Sequence, residues 1–91
     1  MEQGFQYVLQ KLKSITTEPG CYLMKDHEGV VFYVGKAKNL RARLKSYFFG
    51  SDTRIFVQYL EQILADIEIL VVRNDVEALV LERELIHQYQ P

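Results

Sequence analysis

Apolar residues along this chain recur at spacings that predict alternating helices and strands. From Phe5 to Ile15 they recur every three or four positions, which predicts an amphipathic helix that ends before Pro19. Two short runs rich in valine, leucine and aromatic residues follow, at 20–25 and 30–34, on either side of a polar turn. Such a pair of runs predicts a β-hairpin.

The turn of this hairpin also suggests its register. If an even-numbered loop is centred between His27 and Glu28, Tyr22 lies directly opposite Tyr33. Directly opposed side chains have Cβ atoms about 5 Å apart. We therefore expect the two phenols to share one face of the sheet.

A basic helix is predicted to leave the second strand just after Gly35. From Asn39 onward, residues spaced by four lie on one face of the helix. The polar face contains Asn39, Arg43 and Tyr47, and the neighbouring apolar face contains Leu40, Leu44 and Phe48. The helix thus has one face to pack and another that presents polar groups.

The remaining pattern predicts a helix over 53–64 with Asp52 as its N-cap, and a β-branched strand over 66–72. A last helix over 75–88 opens with Asn74 and Glu77, which resemble a capping box. Three strands and four helices predict an α/β (α+β) fold, in which a small, mainly antiparallel three-stranded sheet is flanked by helices.

Length and composition indicate one small domain. Hydrophobic residues make up 48% of the 91 residues and charged residues 25%, and no apolar run approaches the roughly 18 residues of a membrane span. Cys21 is the single cysteine, so an intramolecular disulfide or a thiolate metal cluster is excluded. We expect a monomeric domain in the reducing cytoplasm, with no membrane partner.

Charge is segregated along the chain, although the net charge is only −1. Residues 36–54 carry six basic residues against one acid, whereas residues 55–91 carry two arginines against seven acids. A local excess of this kind is the electrostatic pattern of a nucleic-acid-binding surface, although a solvated charged helix also accounts for it. The candidate DNA-binding residues are Lys36, Lys38, Asn39, Arg41, Arg43 and Lys45.

A carboxylate interrupts the apolar pattern of the last helix. Ala78, Leu79, Leu85 and Ile86 stand three and four residues on either side of Glu82. A carboxylate on a packing face requires a compensating cation, metal or set of hydrogen-bond donors. Glu82 is therefore either the partner of a structural arginine such as Arg43 or a ligand for Mg²⁺ or Mn²⁺, which prefer oxygen.

Several separated motifs occur in an order that resembles the GIY-YIG endonuclease family. They are Pro19-Gly20-Cys21-Tyr22, Tyr33-Val34-Gly35-Lys36-Ala37, Arg43, Tyr47 and Glu82. The longer runs around them are most similar to the N-terminal nuclease domain of the UvrC branch of that family, over residues 16–91. Cys21 and Val34 replace other apolar residues of the family pattern and are mild exchanges.

The resemblance implies hydrolysis of a DNA phosphodiester with one divalent ion, Mg²⁺ or Mn²⁺. It implies that Glu82 is the metal ligand, Tyr33 the general base and Arg43 the cation at the scissile phosphate. Tyr22, Lys36 and Tyr47 match the polar groups that support the site.

In the UvrC branch this domain would make the incision 3′ of a lesion in damaged duplex DNA, after handover by UvrB. We expect residues 1–91 to be a single nuclease domain and a fragment of a longer protein, with an N-terminal helix over 1–15 and a catalytic core over 20–91. The family pattern continues past a proline to an asparagine near the site, and that position lies beyond Pro91.

The proposed base requires a lowered pKa. A free tyrosine has a pKa of about 10, so roughly one phenol in a thousand is ionised at neutral pH. Lys36 stands three residues from Tyr33, and we expect its charge and that of a metal at Glu82 to favour the phenolate.

Two functional hypotheses remain open, and for the first it is also open whether the nuclease acts in DNA repair. The favoured one is an endonuclease, and the alternative is a DNA-binding module that holds phosphates without cleaving. A GIY-YIG nuclease outside repair would share the same site residues.

Overall fold

The computed structural model describes residues 4–49 and 54–91, which form a three-stranded antiparallel sheet with helices on both faces. In chain order the elements are α1 (Phe5–Lys11), a 3₁₀ turn (Leu12–Ser14), β1 (Gly20–Lys25), β2 (Val31–Ala37), α2 (Leu40–Phe49), α3 (Arg54–Ile63), β3 (Asp66–Val71) and α4 (Asp75–Tyr89). The strand order is β2-β1-β3, so β1 is central. The predicted fold class is confirmed.

The two faces of the sheet have separate hydrophobic cores. The larger core lies between the sheet and α1, α2 and α3, and contains Tyr22, Met24, Ile67, Leu40, Leu44, Leu60 and Leu64. On the other face α4 packs against the sheet, and that core includes Cys21, Leu23, Val34, Ala78 and Leu85. The predicted apolar stripe of α2 is confirmed, because Leu40, Leu44 and Phe48 are all buried.

The predicted hairpin register is wrong by two residues. Tyr22 pairs with Gly35, and Met24 pairs with Tyr33. The side chain of Asp26 holds a longer turn by accepting the backbone N–H of Val30 at 3.0 Å, and the ladder is irregular between Met24 and Lys25. Because a shift of two preserves the side-chain alternation, Tyr22 and Tyr33 still share a face, as predicted.

The largest differences between predicted and observed element boundaries are in α1 and β2. The N-terminal α-helix ends at Lys11 and a 3₁₀ turn continues to Ser14, whereas the pattern predicted helix to Ile15. Strand β2 continues to Ala37 because the first residues of β1 pair with its end, Gly20 with Ala37 and Cys21 with Lys36. Lys36 therefore lies in the strand, rather than at the entry to the basic helix.

The start of α4 confirms Asn74 as an N-cap. The Asn74 side chain accepts the backbone N–H of Glu77 at 2.9 Å. The Glu77 carboxylate in turn accepts the backbone N–H of Arg73, one residue earlier than in a capping box. The other predicted cap, Asp52, lies outside the described residues.

None of the described helices is long and apolar enough to cross a bilayer.

Only half of the residues predicted to form the packing face of α4 are buried. Ala78 and Leu85 are buried as expected, but Leu79 and Ile86 are 41% and 45% exposed. The helix packs on the sheet along one side only, so the residues one position further round face solvent. Glu82 consequently lies at the boundary of the packed side and is half-buried, not enclosed in an apolar stripe.

Gly35 makes the packing of the β1–β2 pair possible. A Cβ atom at position 35 would lie 2.3 Å from both Cζ and the hydroxyl oxygen of Tyr22. Tyr22 is 1% exposed, so its ring has no open space into which it could move. The absence of a side chain at Gly35 therefore allows the Tyr22 ring to lie directly over β2.

We expect Gly35→Ala to destabilise the domain by about 2 kcal/mol, because overpacking of a buried contact displaces the ring or the strand. The free energy of unfolding from urea titration measures this. Gly29→Asn is the matched control, since Gly29 has a φ of 82° with open space around it and asparagine tolerates that conformation. Equal stability of Gly35→Ala and wild type would contradict the steric role of Gly35.

Candidate active site

Three tyrosines from three elements meet on the α1–α3 face of the sheet. Tyr22 comes from β1, Tyr33 from β2 and Tyr47 from α2. The hydroxyl oxygens of Tyr22 and Tyr47 are 2.7 Å apart, and those of Tyr33 and Tyr47 are 3.3 Å apart. Their ring centroids are 6.0 to 6.4 Å apart. Tyr47 therefore links the buried phenol of Tyr22 to the more exposed phenol of Tyr33.

Arg43 completes this tyrosine cluster. It precedes Tyr47 by one helical turn, and its Cζ lies 4.9 Å from the centroid of the Tyr47 ring, a cation–π distance. The interaction of its guanidinium with the Tyr22 hydroxyl raises the pKa of Arg43. The predicted alternative, in which Arg43 pairs with Glu82, does not occur: no described residue forms an ion pair with Glu82.

The phenols are harder to ionise than free tyrosine. Burial, followed by the hydrogen bond with Tyr47, raises the pKa of Tyr22 well above its usual value. The same two causes raise the pKa of Tyr33, although a hydrogen bond with Tyr22 and the charge of Arg43 oppose the rise. In the domain without metal or DNA the pKa of Tyr33 therefore lies above its usual value, because desolvation outweighs the charge of Arg43. The expected effect of a metal at Glu82 stays a prediction.

Lys36 does not act on Tyr33, because the two side chains lie on opposite faces of β2. Residues three apart in a strand alternate in direction, so Lys36 lies on the α4 face with its ladder partner Cys21. There its Nζ is 3.6 Å from Oδ1 of Asp75, the first residue of α4. Asp75 was not among the predicted site residues, and the sequence signalled it only as an acid in a first helical turn.

Glu82 also lies on the α4 face. Its carboxylate is close enough to Cys21 to help burial raise the pKa of that thiol to about 11, while Lys36 opposes the rise. The Cys21 thiol donates to the carbonyl oxygen of Ala78 at 3.2 Å. Cys21 of β1 is buried and holds its proton. It therefore packs against α4 and is not a metal ligand.

The donor set around Glu82 fits a hydrated divalent ion. The carboxylate is half-buried, and it forms no ion pair with any residue of the described ranges. Within those ranges no group of three or more His, Cys, Asp or Glu side chains could hold a metal. A hard ion bound by one carboxylate keeps most of its water, as Mg²⁺ commonly does.

The predicted basic surface divides into exposed and structural side chains. Lys38, Arg43 and Lys45 are exposed on and beside α2. Arg41 instead donates from Nε to the carbonyl oxygen of Ile15 at 2.7 Å, which fixes the N-terminal segment against α2. Asn39 caps α2 through its Oδ1, which accepts the N–H of Ala42 at 3.0 Å.

The two parts of the predicted site are thus on opposite faces of one strand. Tyr22, Tyr33, Tyr47 and Arg43 are together, whereas Lys36 and Glu82 lie on the α4 face. Strand β2 is at an edge of the sheet, so both faces adjoin its outer rim. A substrate that approaches this edge can reach side chains from both faces.

Comparisons with known proteins identify similar domains. The family model for the UvrC-like GIY-YIG domain matches residues 18–91. UvrABC system protein C of Anaeromyxobacter sp. (strain Fw109-5) is 51% identical over 82 residues, which cover 88% of this chain and 12% of that protein. UvrABC system protein C of Chlamydia muridarum is 54% identical over 81 residues, covering 88% of this chain and 14% of that protein.

A solved structure shows the same architecture. The GIY-YIG N-terminal endonuclease domain of UvrC from Thermotoga maritima, bound to magnesium as its catalytic divalent cation, superposes with a TM-score of 0.79 at 35% identity. The match covers 96% of this chain and 94% of that one.

We expect the tyrosine cluster to make stability depend on alkaline pH. A folded-state pKa above the unfolded value contributes stability that is complete below about pH 10 and is lost as the pH rises further. Tyr22→Phe should therefore lose less stability than wild type between about pH 8 and pH 10.5, as measured by urea unfolding at each pH. Tyr59→Phe, at an exposed tyrosine, is the control. An unchanged loss in Tyr22→Phe would argue against a buried neutral phenol.

Proposed function

This chain belongs to the UvrC-like GIY-YIG domain family, and we propose that it is a metal-dependent endonuclease domain that hydrolyses a phosphodiester bond of DNA. The observation that carries the proposal is the tyrosine cluster with Arg43 on one face of the edge strand β2, and it is supported by Glu82, a carboxylate of α4 that forms no ion pair with the described residues. These groups supply a candidate base, a cation for phosphate and an oxygen ligand for a metal.

The chain spans about 12% to 15% of the length of the curated relatives that it matches. The activity of a whole excision-repair protein is therefore part of the proposal. We propose that this domain makes the incision 3′ of a lesion in damaged duplex DNA, that UvrB is the partner of the full-length protein, and that it acts in the cytoplasm. The named relatives, proteins C of the UvrABC system, support this assignment.

Glu82 is the proposed ligand of one divalent ion, Mg²⁺ or Mn²⁺. Its half-buried carboxylate is unpaired among the described residues, as a ligand for a hard cation must be. The magnesium in the Thermotoga maritima domain supports this choice of metal. When bound, such an ion neutralises phosphate charge and makes a water molecule more acidic.

Tyr33 is the proposed general base. Tyr33 is the most accessible of the three tyrosines, and its hydroxyl contacts the hydroxyl of Tyr47 at 3.3 Å. Tyr33 can accept the proton of the attacking water only as a phenolate. Its own proton must therefore first be lost to solvent, which requires the raised pKa to fall when positive charge accumulates at the site. Arg43 already acts in that direction.

Other Thermotoga maritima structures support a role for tyrosines other than holding the metal. Three point mutants of that domain, each with a tyrosine replaced by phenylalanine, are bound to the catalytic divalent cation. Loss of one phenol in that protein thus leaves its cation in place. In this chain, Tyr22 and Tyr47 act by fixing the position of Tyr33 and Arg43.

Arg43 and Lys36 approach the scissile phosphate from the two faces of β2. The planar guanidinium of Arg43 offers two parallel donors to phosphate oxygens, and stacking on Tyr47 restricts its orientation. Lys36 adds a second positive charge. Lys38 and Lys45 are exposed and hold the flanking backbone, so binding should weaken steeply as salt is added.

We expect Glu82→Gln to weaken Mn²⁺ binding by at least about tenfold, because loss of a direct ligand costs no less than loss of a residue that supports one. Isothermal titration of the folded domain measures the affinity. Glu84→Gln, at an exposed position of the same helix, is the control and should bind like wild type. Equal affinity of Glu82→Gln and wild type would remove Glu82 as the ligand.

Tyr33→Phe should reduce DNA incision by a factor of about 10² to 10⁴, the usual contribution of a general base, while DNA affinity stays unchanged. Cleavage of a lesion-containing duplex and fluorescence anisotropy measure the two quantities, in a chain extended to the full length of its relatives. Tyr59→Phe is the control. Full incision by Tyr33→Phe would exclude this base, and DNA binding without incision by wild type would indicate a binding module.

A further inference from the structure

An ion pair between α4 and β2 holds Lys36. Its Nζ is 3.6 Å from Oδ1 of Asp75, longer than the roughly 2.7 to 2.9 Å of a charge-assisted hydrogen bond. This Oδ1 is shielded from solvent and accepts no hydrogen bond from the described residues. Burial of a carboxylate oxygen without a donor is costly, and the nearby ammonium offsets that cost. The ammonium keeps its N–H groups available because the pair is not a close hydrogen bond.

The position of Asp75 is well determined by its surroundings. It is the first residue of α4, directly after the N-cap Asn74, and its negative charge is favourable at a helix N-terminus. The helix is anchored on the sheet through buried Ala78 and Leu85. Asp75 therefore presents a fixed carboxylate to the long, flexible side chain of Lys36.

The same side of α4 carries Glu82. Residues seven apart in a helix lie on one side, so the two carboxylates are separated along the axis by about 10 Å. Ala78 lies between them and accepts the hydrogen bond from Cys21, the ladder partner of Lys36. Lys36 is thus paired through Cys21 with the turn of α4 that precedes Glu82, and both charges also act on the pKa of the Cys21 thiol.

Of the two carboxylates on this side of α4, Lys36 pairs with Asp75. We propose that Asp75 is a positioning residue that holds the Lys36 ammonium away from Glu82, which leaves the Glu82 carboxylate available to a divalent cation. The inference rests on the proposed role of Glu82 as the metal ligand. Without the Asp75 charge, Lys36 turns to Glu82 and competes with the cation for it.

The test is a double-mutant cycle between Asp75 and Lys36, with Mn²⁺ affinity as its readout. Asp75→Asn should bind Mn²⁺ more weakly by a factor on the order of five, because a released lysine must be displaced. Lys36→Met alone should bind like wild type or more tightly. In the double variant Asp75→Asn with Lys36→Met, the loss should disappear, since no ammonium remains to compete.

The cycle distinguishes competition between Lys36 and Mn²⁺ for Glu82 from the long-range electrostatic effect of losing the Asp75 charge. Removal of a negative charge about 10 Å from the ion would weaken binding equally with and without Lys36. Equal loss of Mn²⁺ affinity in both backgrounds, or no loss in Asp75→Asn, would overturn the positioning role.

Glu84→Gln is the matched control on the exposed side of α4. Circular dichroism and thermal melting establish that each variant is folded, and Asp75→Ser, which also suits a first helical turn, replaces Asp75→Asn if that variant melts early.

Glu82→Gln distinguishes failure of this inference from failure of the proposed function. If Glu82→Gln loses Mn²⁺ affinity while Asp75→Asn does not, the metal site stands and the positioning role falls. If Glu82→Gln binds Mn²⁺ like wild type, Glu82 is not the ligand and both proposals fall.

Discussion

The contact of the Tyr22 ring with Gly35 is the constraint on which the site depends. Tyr22 fills the space that a side chain at position 35 would occupy, and its hydroxyl is thereby placed against Tyr47 and Arg43. Tyr47 in turn contacts the hydroxyl of Tyr33. One missing Cβ atom on an edge strand thus permits a continuous line of hydrogen-bonded phenols from the core to the surface.

The sheet separates two kinds of electrostatic environment. On the α1–α3 face the phenols are desolvated, so their neutral forms are favoured and the pKa values of Tyr22 and Tyr33 rise. On the α4 face Lys36, Asp75 and Glu82 are partly exposed, with the two carboxylates on one side of α4 and the ammonium projecting from β2. Phosphate chemistry at this edge would therefore combine neutral donors from one face with charges from the other.

Much of the fold and of the candidate site could be predicted from the sequence because local patterns specify them. The periodicity identified the strands and α-helices of the described residues, and the family resemblance selected the tyrosines, Arg43, Lys36 and Glu82 as candidate site residues. Prediction failed where the outcome depends on partners distant in the chain. The Asp26 turn and the ladder irregularity shifted the register, and the one-sided packing of α4 left Leu79 and Ile86 exposed.

By itself the sequence determined the fold class, the family resemblance and the chemical types at the site, because these follow from side-chain identity and short-range periodicity. Only the tertiary structure decided which groups face each other. It placed Lys36 beside Asp75 rather than Tyr33, and burial of the Tyr33 phenol raises its pKa in the domain without metal. The physical reason is that desolvation and ion pairing depend on burial and on distances of a few ångströms between elements, which spacing along a chain does not encode.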